Sequence, residues 1–128
     1  MSTVQPTTQV LLVEDDVILL EDYAFNLEMS GYEVIQATNG QEALKWLSES
    51  ARKPDIVVSD IMMPHIDGLQ LLAYLRQSPT LNTVPFIFIT ALNVDNPRHE
   101  AEALGVSDYI IKPFSIKKLV EAIDNAVA

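Results

Sequence analysis

The stretch Val10-Leu11-Leu12-Val13-Glu14-Asp15-Asp16 decides the fold. Four apolar residues in a row break off at three acids. A run this short, with no polar alternation, suits a strand covered on both faces. Helical spacing follows from Val17 to Met29 and stops at Ser30-Gly31, where glycine tolerates the left-handed turn that ends a helix. The same strand-then-helix alternation then repeats. Tyr32 to Ala37 reads as a strand, Asn39-Gly40 as a turn, and Gln41 to Ser50 as a helix. Asp55 to Ser59 is a third strand, followed by a helix from Gly68 to Gln77. Val84 to Ile89 is a fourth strand, followed by a helix from Pro97 to Leu104. Ser107 to Ile111 is a fifth strand, and Ser115 caps a last helix to about Val127. Short apolar strands separated by helices predict a parallel sheet with helices on both faces, a three-layer α/β/α sandwich with right-handed crossovers.

The whole chain has 128 residues, 48% of them hydrophobic, and no cysteine. That length suits one compact domain with a real core and needs no disulfide or metal staple. Thiolate chemistry and cysteine zinc sites are excluded. Eight basic residues face 18 acidic ones, a formal net charge of −10. Such a chain is a poor ligand for nucleic acid or for an anionic membrane, because both need Lys and Arg. A multivalent cation is a more natural partner. Residues 1–8 read as a polar, flexible tail and residues 9–128 as the domain. The tail has no signal-peptide pattern, and no apolar run approaches a membrane span, so the expected location is the cytoplasm.

In an open α/β sheet, sites gather beyond the carboxyl ends of the strands. Glu14, Asp15 and Asp16 follow strand one, and Asp60 follows strand three. Thr90 follows strand four, and Lys112 follows strand five. Carboxylates this close repel unless a cation balances them, and Mg²⁺ prefers oxygen ligands. A lysine and a hydroxyl beside them suit an incoming phosphoryl group. Each residue alone is unremarkable, since acids at strand ends are often solvated. The four strand ends together are hard to explain as accidents.

At these residues a resemblance appears. Val10 to Asp16, Asp60-Ile61-Met62-Met63-Pro64-His65-Ile66-Asp67-Gly68, Ile89-Thr90-Ala91 and Tyr109-Ile110-Ile111-Lys112-Pro113-Phe114 resemble, in order and spacing, the receiver domains of two-component response regulators. The resemblance spans about residues 9 to 127. It implies a flavodoxin-like sheet of strand order 2-1-3-4-5. It also implies a signalling module that catalyses only its own phosphorylation and dephosphorylation.

The resemblance further implies that Asp60 accepts a phosphoryl group from a phosphohistidine, giving an aspartyl phosphate. Asp15, Asp60 and the Met62 backbone carbonyl would hold Mg²⁺ or Mn²⁺, with Glu14 acting through water. Three acids in a row leave the register of the acidic pair open by one residue. Glu14-Asp15 follows the apolar run directly, and Asp16 is then free to cap helix one. Lys112 would pair with a phosphoryl oxygen, and Lys112-Pro113 would be cis. Thr90 and Tyr109 match the switch pair. Met62 and Leu92, both apolar, would offer no group to orient hydrolytic water, which implies a long-lived phosphorylated state. His65 reads as an exposed loop residue rather than a ligand, and Trp46 and Leu47 as packing residues.

Ile18, Phe25 and Met29 on helix one lie outside its expected core set, Leu20, Ala24 and Leu27. They form either a docking stripe or a further buried face of the sandwich. The resemblance implies a sensor histidine kinase or phosphotransfer protein as partner. It also implies an output partner or output domain, and allows a homodimer, through the face of helix four, strand five and helix five. Arg98, His99, Lys117 and Lys118 lie there.

Two other readings compete. A receiver-like interaction module that works without phosphorylation would usually have lost one of Glu14, Asp15, Asp60, Thr90 or Lys112. A phosphatase or flavodoxin on the same fold would want an acid at Met62, or a phosphate loop where the three acids stand.

Overall fold

The computed structural model describes residues 7–91 and 98–128, the second span with the backbone only of Arg98. Five strands alternate with five helices: β1 (Gln9–Val13), α1 (Val17–Met29), β2 (Glu33–Ala37), α2 (Gly40–Glu49), β3 (Ile56–Asp60), α3 (Gly68–Gln77), β4 (Phe86–Ala91), α4 (Arg98–Ala103), β5 (Asp108–Lys112) and α5 (Ile116–Val127). The strands form one parallel sheet of order β2-β1-β3-β4-β5, the flavodoxin-like order expected. Every residue of β1 and β3 is buried. The apolar runs lack polar alternation because helices cover both faces.

Alternate residues feed two cores. Leu11, Val13, Val57, Phe86 and Phe88 point to one side of the sheet, with Leu71, Leu72 and Leu75 of α3. Val10, Leu12, Val58, Ile87 and Ile89 point to the other, with Leu20, Ala24 and Leu27 of α1 and Leu119 and Ile123 of α5.

Helix starts follow from local chemistry. Asp16 caps α1, its carboxylate accepting from the Ile18 and Leu19 N–H groups at 3.0 and 3.2 Å. This assigns the third acid of the run to the helix and leaves Glu14 and Asp15 at the strand end. Asp67 and Gln70 form a reciprocal capping box on α3, and Ser115 caps α5 as expected. Gly31 ends α1 at φ 99°, a conformation that side chains disfavour.

Three expectations shift. Asn39-Gly40 is not a free turn: Asn39 is the N-cap and Gly40 the first residue of α2. Tyr32 lies before β2, and Leu104 lies after α4. Strands three, four and five run one to two residues past their apolar stretches, so Asp60, Thr90 and Lys112 are strand residues. The cause is register: Asp60 still pairs with Ile89, Thr90 with Ile111, and Ala91 with Lys112. Leu92, Pro97, the Arg98 side chain and most of the expected tail lie outside the described residues.

Gly68, at the start of α3, has no room for a side chain. A Cβ there would lie 2.5 Å from the Asp60 carbonyl oxygen and 2.7 Å from the Phe88 ring. Gly68→Ala should therefore destabilise the fold by roughly 1–3 kcal/mol, the usual cost of overpacking a closed site. The denaturation midpoint measures it, and an unchanged midpoint would show that α3 can shift freely.

Candidate functional site

The carboxyl ends of β1, β3, β4 and β5 bring the predicted residues to one edge. Oxygens of Glu14, Asp15 and Asp60 lie within 4.8 Å of one another. Glu14 and Asp60 are buried, and Asp15 is exposed. The sheet forces this proximity, because β1 and β3 are hydrogen-bonded neighbours that end side by side.

Lys112 crosses from β5 to join them. Its ammonium donates to Glu14 Oε1 at 2.8 Å and to Asp60 Oδ2 at 2.9 Å. The second oxygen of each acid is held by backbone: Glu14 Oε2 accepts from the Asp16 N–H at 3.1 Å, and Asp60 Oδ1 from the Met62 N–H at 3.1 Å. Both carboxylates are thus fixed before any ligand arrives. The Lys112-Pro113 bond is cis.

Burial is the main influence on Glu14 and pushes its pKa above the ordinary carboxylate value, against the opposing pull of Lys112. Burial alone would lower the Lys112 pKa. Hydrogen bonds to Glu14 and Asp60, and their charges, outweigh it and hold the ammonium well above the usual lysine value. One cation against three carboxylates leaves the cluster net negative. Three oxygens so close, of which only two acids are paired to an ammonium, are a hard-ligand set that fits a divalent cation.

Thr90 is buried, and among the described residues its hydroxyl donates a single long bond, of 3.4 Å, to the Ala91 carbonyl. Tyr109 is half-buried, with its ring edge-on to Phe88 at a centroid distance of 6.2 Å. Met62 is exposed beside Asp60. His65 is exposed at φ 65°, and is not among the clustered acids. Trp46 and Leu47 pack on the core of their face, as expected.

Ile18, Phe25 and Met29 are 79%, 63% and 74% exposed, so the sandwich does not bury them. Together with half-exposed Val17 they make an apolar stripe on α1, which begins beside Asp15 and Asp16. A residue the motifs did not mark is Tyr23 of α1. Its ring packs on Phe114, two residues past Lys112, at 5.2 Å. Burial raises its phenol pKa; the Lys112 charge opposes that rise, and the charges of Glu14 and Asp60 reinforce it. No sequence signal separates Tyr23 from an ordinary helix aromatic.

Among the described residues, no helix is long and apolar enough to cross a membrane. Residues 10–124 match the response regulator receiver domain family. The chain is 36% identical over 111 residues to the alkaline phosphatase synthesis transcriptional regulatory protein PhoP of Bacillus subtilis, covering 87% of this chain and 45% of that protein. It is 32% identical over 116 residues to the polar-differentiation response regulator DivK of Brucella anthropi, covering 91% of this chain and 93% of that one. The chain spans about half the length of the transcriptional regulators it matches. The signal receiver domain of a signal transduction histidine kinase from Syntrophus aciditrophicus superposes with a TM-score of 0.85 at 31% identity, covering 94% of this chain and 90% of that one. By sequence and by fold, this chain belongs to the response regulator receiver domain family.

Proposed function

We propose that residues 9–128 form a phosphoacceptor receiver domain, working in the cytoplasm, in which Asp60 takes a phosphoryl group from the phosphohistidine of a sensor kinase or phosphotransfer protein. The observation that carries this reading is the held carboxylate of Asp60, bound by Lys112 and the Met62 N–H beside Glu14 and Asp15. An Asp60 oxygen attacks phosphorus in line, the P–N bond to the donor imidazole breaks, and that nitrogen leaves with the electron pair. The residues present contribute mainly position and charge, as phosphoryl transfer requires. Asp15, Asp60 and the Met62 carbonyl would hold Mg²⁺ or Mn²⁺, with Glu14 reaching it through water. The ion would neutralise phosphoryl oxygens. Lys112 would exchange one carboxylate contact for a phosphoryl oxygen, and Thr90 and Tyr109 would report the change to the face of α4, β5 and α5, which serves an output partner, an output domain or a second copy. Met62 offers no group to orient water, which supports a slowly hydrolysed product.

The exposed stripe on α1 starts beside the acids, so a partner seated there would have its phosphohistidine near Asp60. Replacing Ile18 and Phe25 together by serine should slow transfer from a histidine-phosphorylated protein yet leave small-donor labelling unchanged. Equal slowing of both would place the donor elsewhere.

The direct test is intact-protein mass after incubation with acetyl phosphate and Mg²⁺. One added phosphoryl group, lost when a chelator is present, is the expected result. No gain, under conditions that label another receiver, would favour an interaction module that works unphosphorylated. Asp15→Ala should lower Mg²⁺ affinity by at least about tenfold, the scale of losing even an outer-sphere partner. Because Asp15 is exposed, its loss should move the melting temperature little. Calorimetric titration measures the first effect, and unchanged affinity would remove Asp15 from the ligand set.

A further inference from the structure

Arg76, in the last turn of α3, takes no part in the chemistry above. Its guanidinium donates to four main-chain carbonyls: Nε to Leu104 at 2.8 Å, Nη2 to Gly105 at 3.1 Å, and Nη1 to Val84 at 2.8 Å and Asn82 at 3.4 Å. These carbonyls belong to two separate segments, the approach to β4 and the turn between α4 and β5.

That turn is tightly organised. Gly105 adopts φ 74°. Its N–H donates to the Glu102 carbonyl at 3.0 Å, and the Val106 N–H donates to the Ala101 carbonyl at 3.0 Å. Ala101 is fully buried. The Ser107 N–H then donates to the Phe86 carbonyl at 2.7 Å, and β5 begins, with Tyr109 as its second residue. The carbonyls at the end of a helix are its negative pole and lack partners within it, so a cation there is doubly favoured. A cavity of about 160 Å³, lined by Glu102, Val106, Ser107, Asp108 and Tyr109, adjoins the turn. At its other end, α3 abuts the Asp60 carbonyl through Gly68. One helix therefore touches both the acid-bearing strand and the turn that leads to Tyr109.

We propose that Arg76 is a positioning residue of the switch, fixing the C-terminal end of α4 and the start of β5. A change at Asp60 then moves Tyr109 and α4 about a held point instead of loosening the whole turn. The inference rests on the reading of Asp60 as phosphoacceptor, and its test separates the two.

Amide hydrogen exchange of the full chain is compared for wild type, Arg76→Met and Arg76→Lys, before and after acetyl phosphate with Mg²⁺. In the unmodified protein, the amides of Gly105, Val106 and Ser107 should exchange about tenfold faster in Arg76→Met, as loss of local hydrogen bonding predicts. Arg76→Lys, whose single ammonium can reach only part of the set, should lie between. Wild-type rates in Arg76→Met would overturn the proposal whether or not Asp60 accepts phosphate. After labelling, Arg76→Met should gain its phosphoryl group at a rate within about twofold of wild type, since it leaves the Asp60 site untouched. Its exchange change across residues 98–112 should fall below half of the wild-type change. A full-sized change would also overturn the proposal. If Arg76→Met does not fold, Arg76→Lys decides alone: faster exchange at the turn supports the anchor, and wild-type exchange refutes it.

Discussion

Asp60→Ala will lose covalent phosphoryl uptake, by at least about a hundredfold, as removal of a nucleophile does. The comparison is intact mass after acetyl phosphate and Mg²⁺, with wild type alongside. Asp60 and Glu14 are both buried, and each is held by a backbone N–H and by the Lys112 ammonium. They differ in place: Asp60 ends β3, the central strand of the sheet, with Thr90 on the neighbouring strand β4, whereas Glu14 follows β1. Asp15 is exposed and is the natural substitute acceptor. Labelling of Asp60→Ala at the wild-type level would move the reaction to Asp15, and a peptide map would show it. Loss of uptake will not come from unfolding. Removing Asp60 leaves Lys112 paired with Glu14 and takes one negative charge out of a crowded cluster, so the melting temperature should hold or rise.

Lys112→Met has the opposite character. It should destabilise the fold by about 3 kcal/mol at neutral pH, because two buried carboxylates lose the ammonium that pairs with both. Mg²⁺ should restore part of that loss by supplying the missing charge. The pH dependence follows from the same pair. In wild type the Lys112 pKa is raised, so its contribution is complete below the unfolded value of 10.5 and declines as pH climbs beyond it. In the variant, burial and the Asp60 charge, without the opposing Lys112 ammonium, should raise the Glu14 pKa further. A raised carboxylate costs stability as pH rises through its unfolded value, so the deficit of Lys112→Met should shrink on acidification towards pH 4.5. Denaturation midpoints between acid and neutral pH, with and without Mg²⁺, measure both effects. A deficit that ignores pH and Mg²⁺ would mean that lost packing, not lost charge, is the cause.

Much of the molecule is legible in the residues. Val10 to Val13 and Ile56 to Val58 are continuous apolar runs because both faces are covered, and that reading yields a parallel sheet without further help. The ends of Asp60, Thr90 and Lys112 were less legible. A polar residue closes an apolar run on the page, yet its backbone still pairs in the ladder, so the strands extend past the pattern. Asp16 shows how structure resolves a local ambiguity: three adjacent acids look alike until one of them accepts the α1 N–H bonds. The stripe of Ile18, Phe25 and Met29 was balanced between core and surface, since helical period places residues on a face without saying what covers it. Arg76 was not legible at all. Its partners are main-chain carbonyls, which every residue carries, so no sequence pattern can mark them.

The strand order has one more consequence, a matter of reach. β5 lies two places from β3 in the sheet, with β4 between them. Neighbouring strands stand about 4.8 Å apart, so the backbones bearing Lys112 and Asp60 are separated by roughly 10 Å. A short cationic or hydroxyl chain on β5 would fall well short of that carboxylate. Four methylenes carry the ammonium past β4, whose next-to-last residue is Thr90, to the Asp60 carboxylate. The sheet thus acts as a ruler: its spacing sets how long the cationic side chain must be, and lysine meets that length.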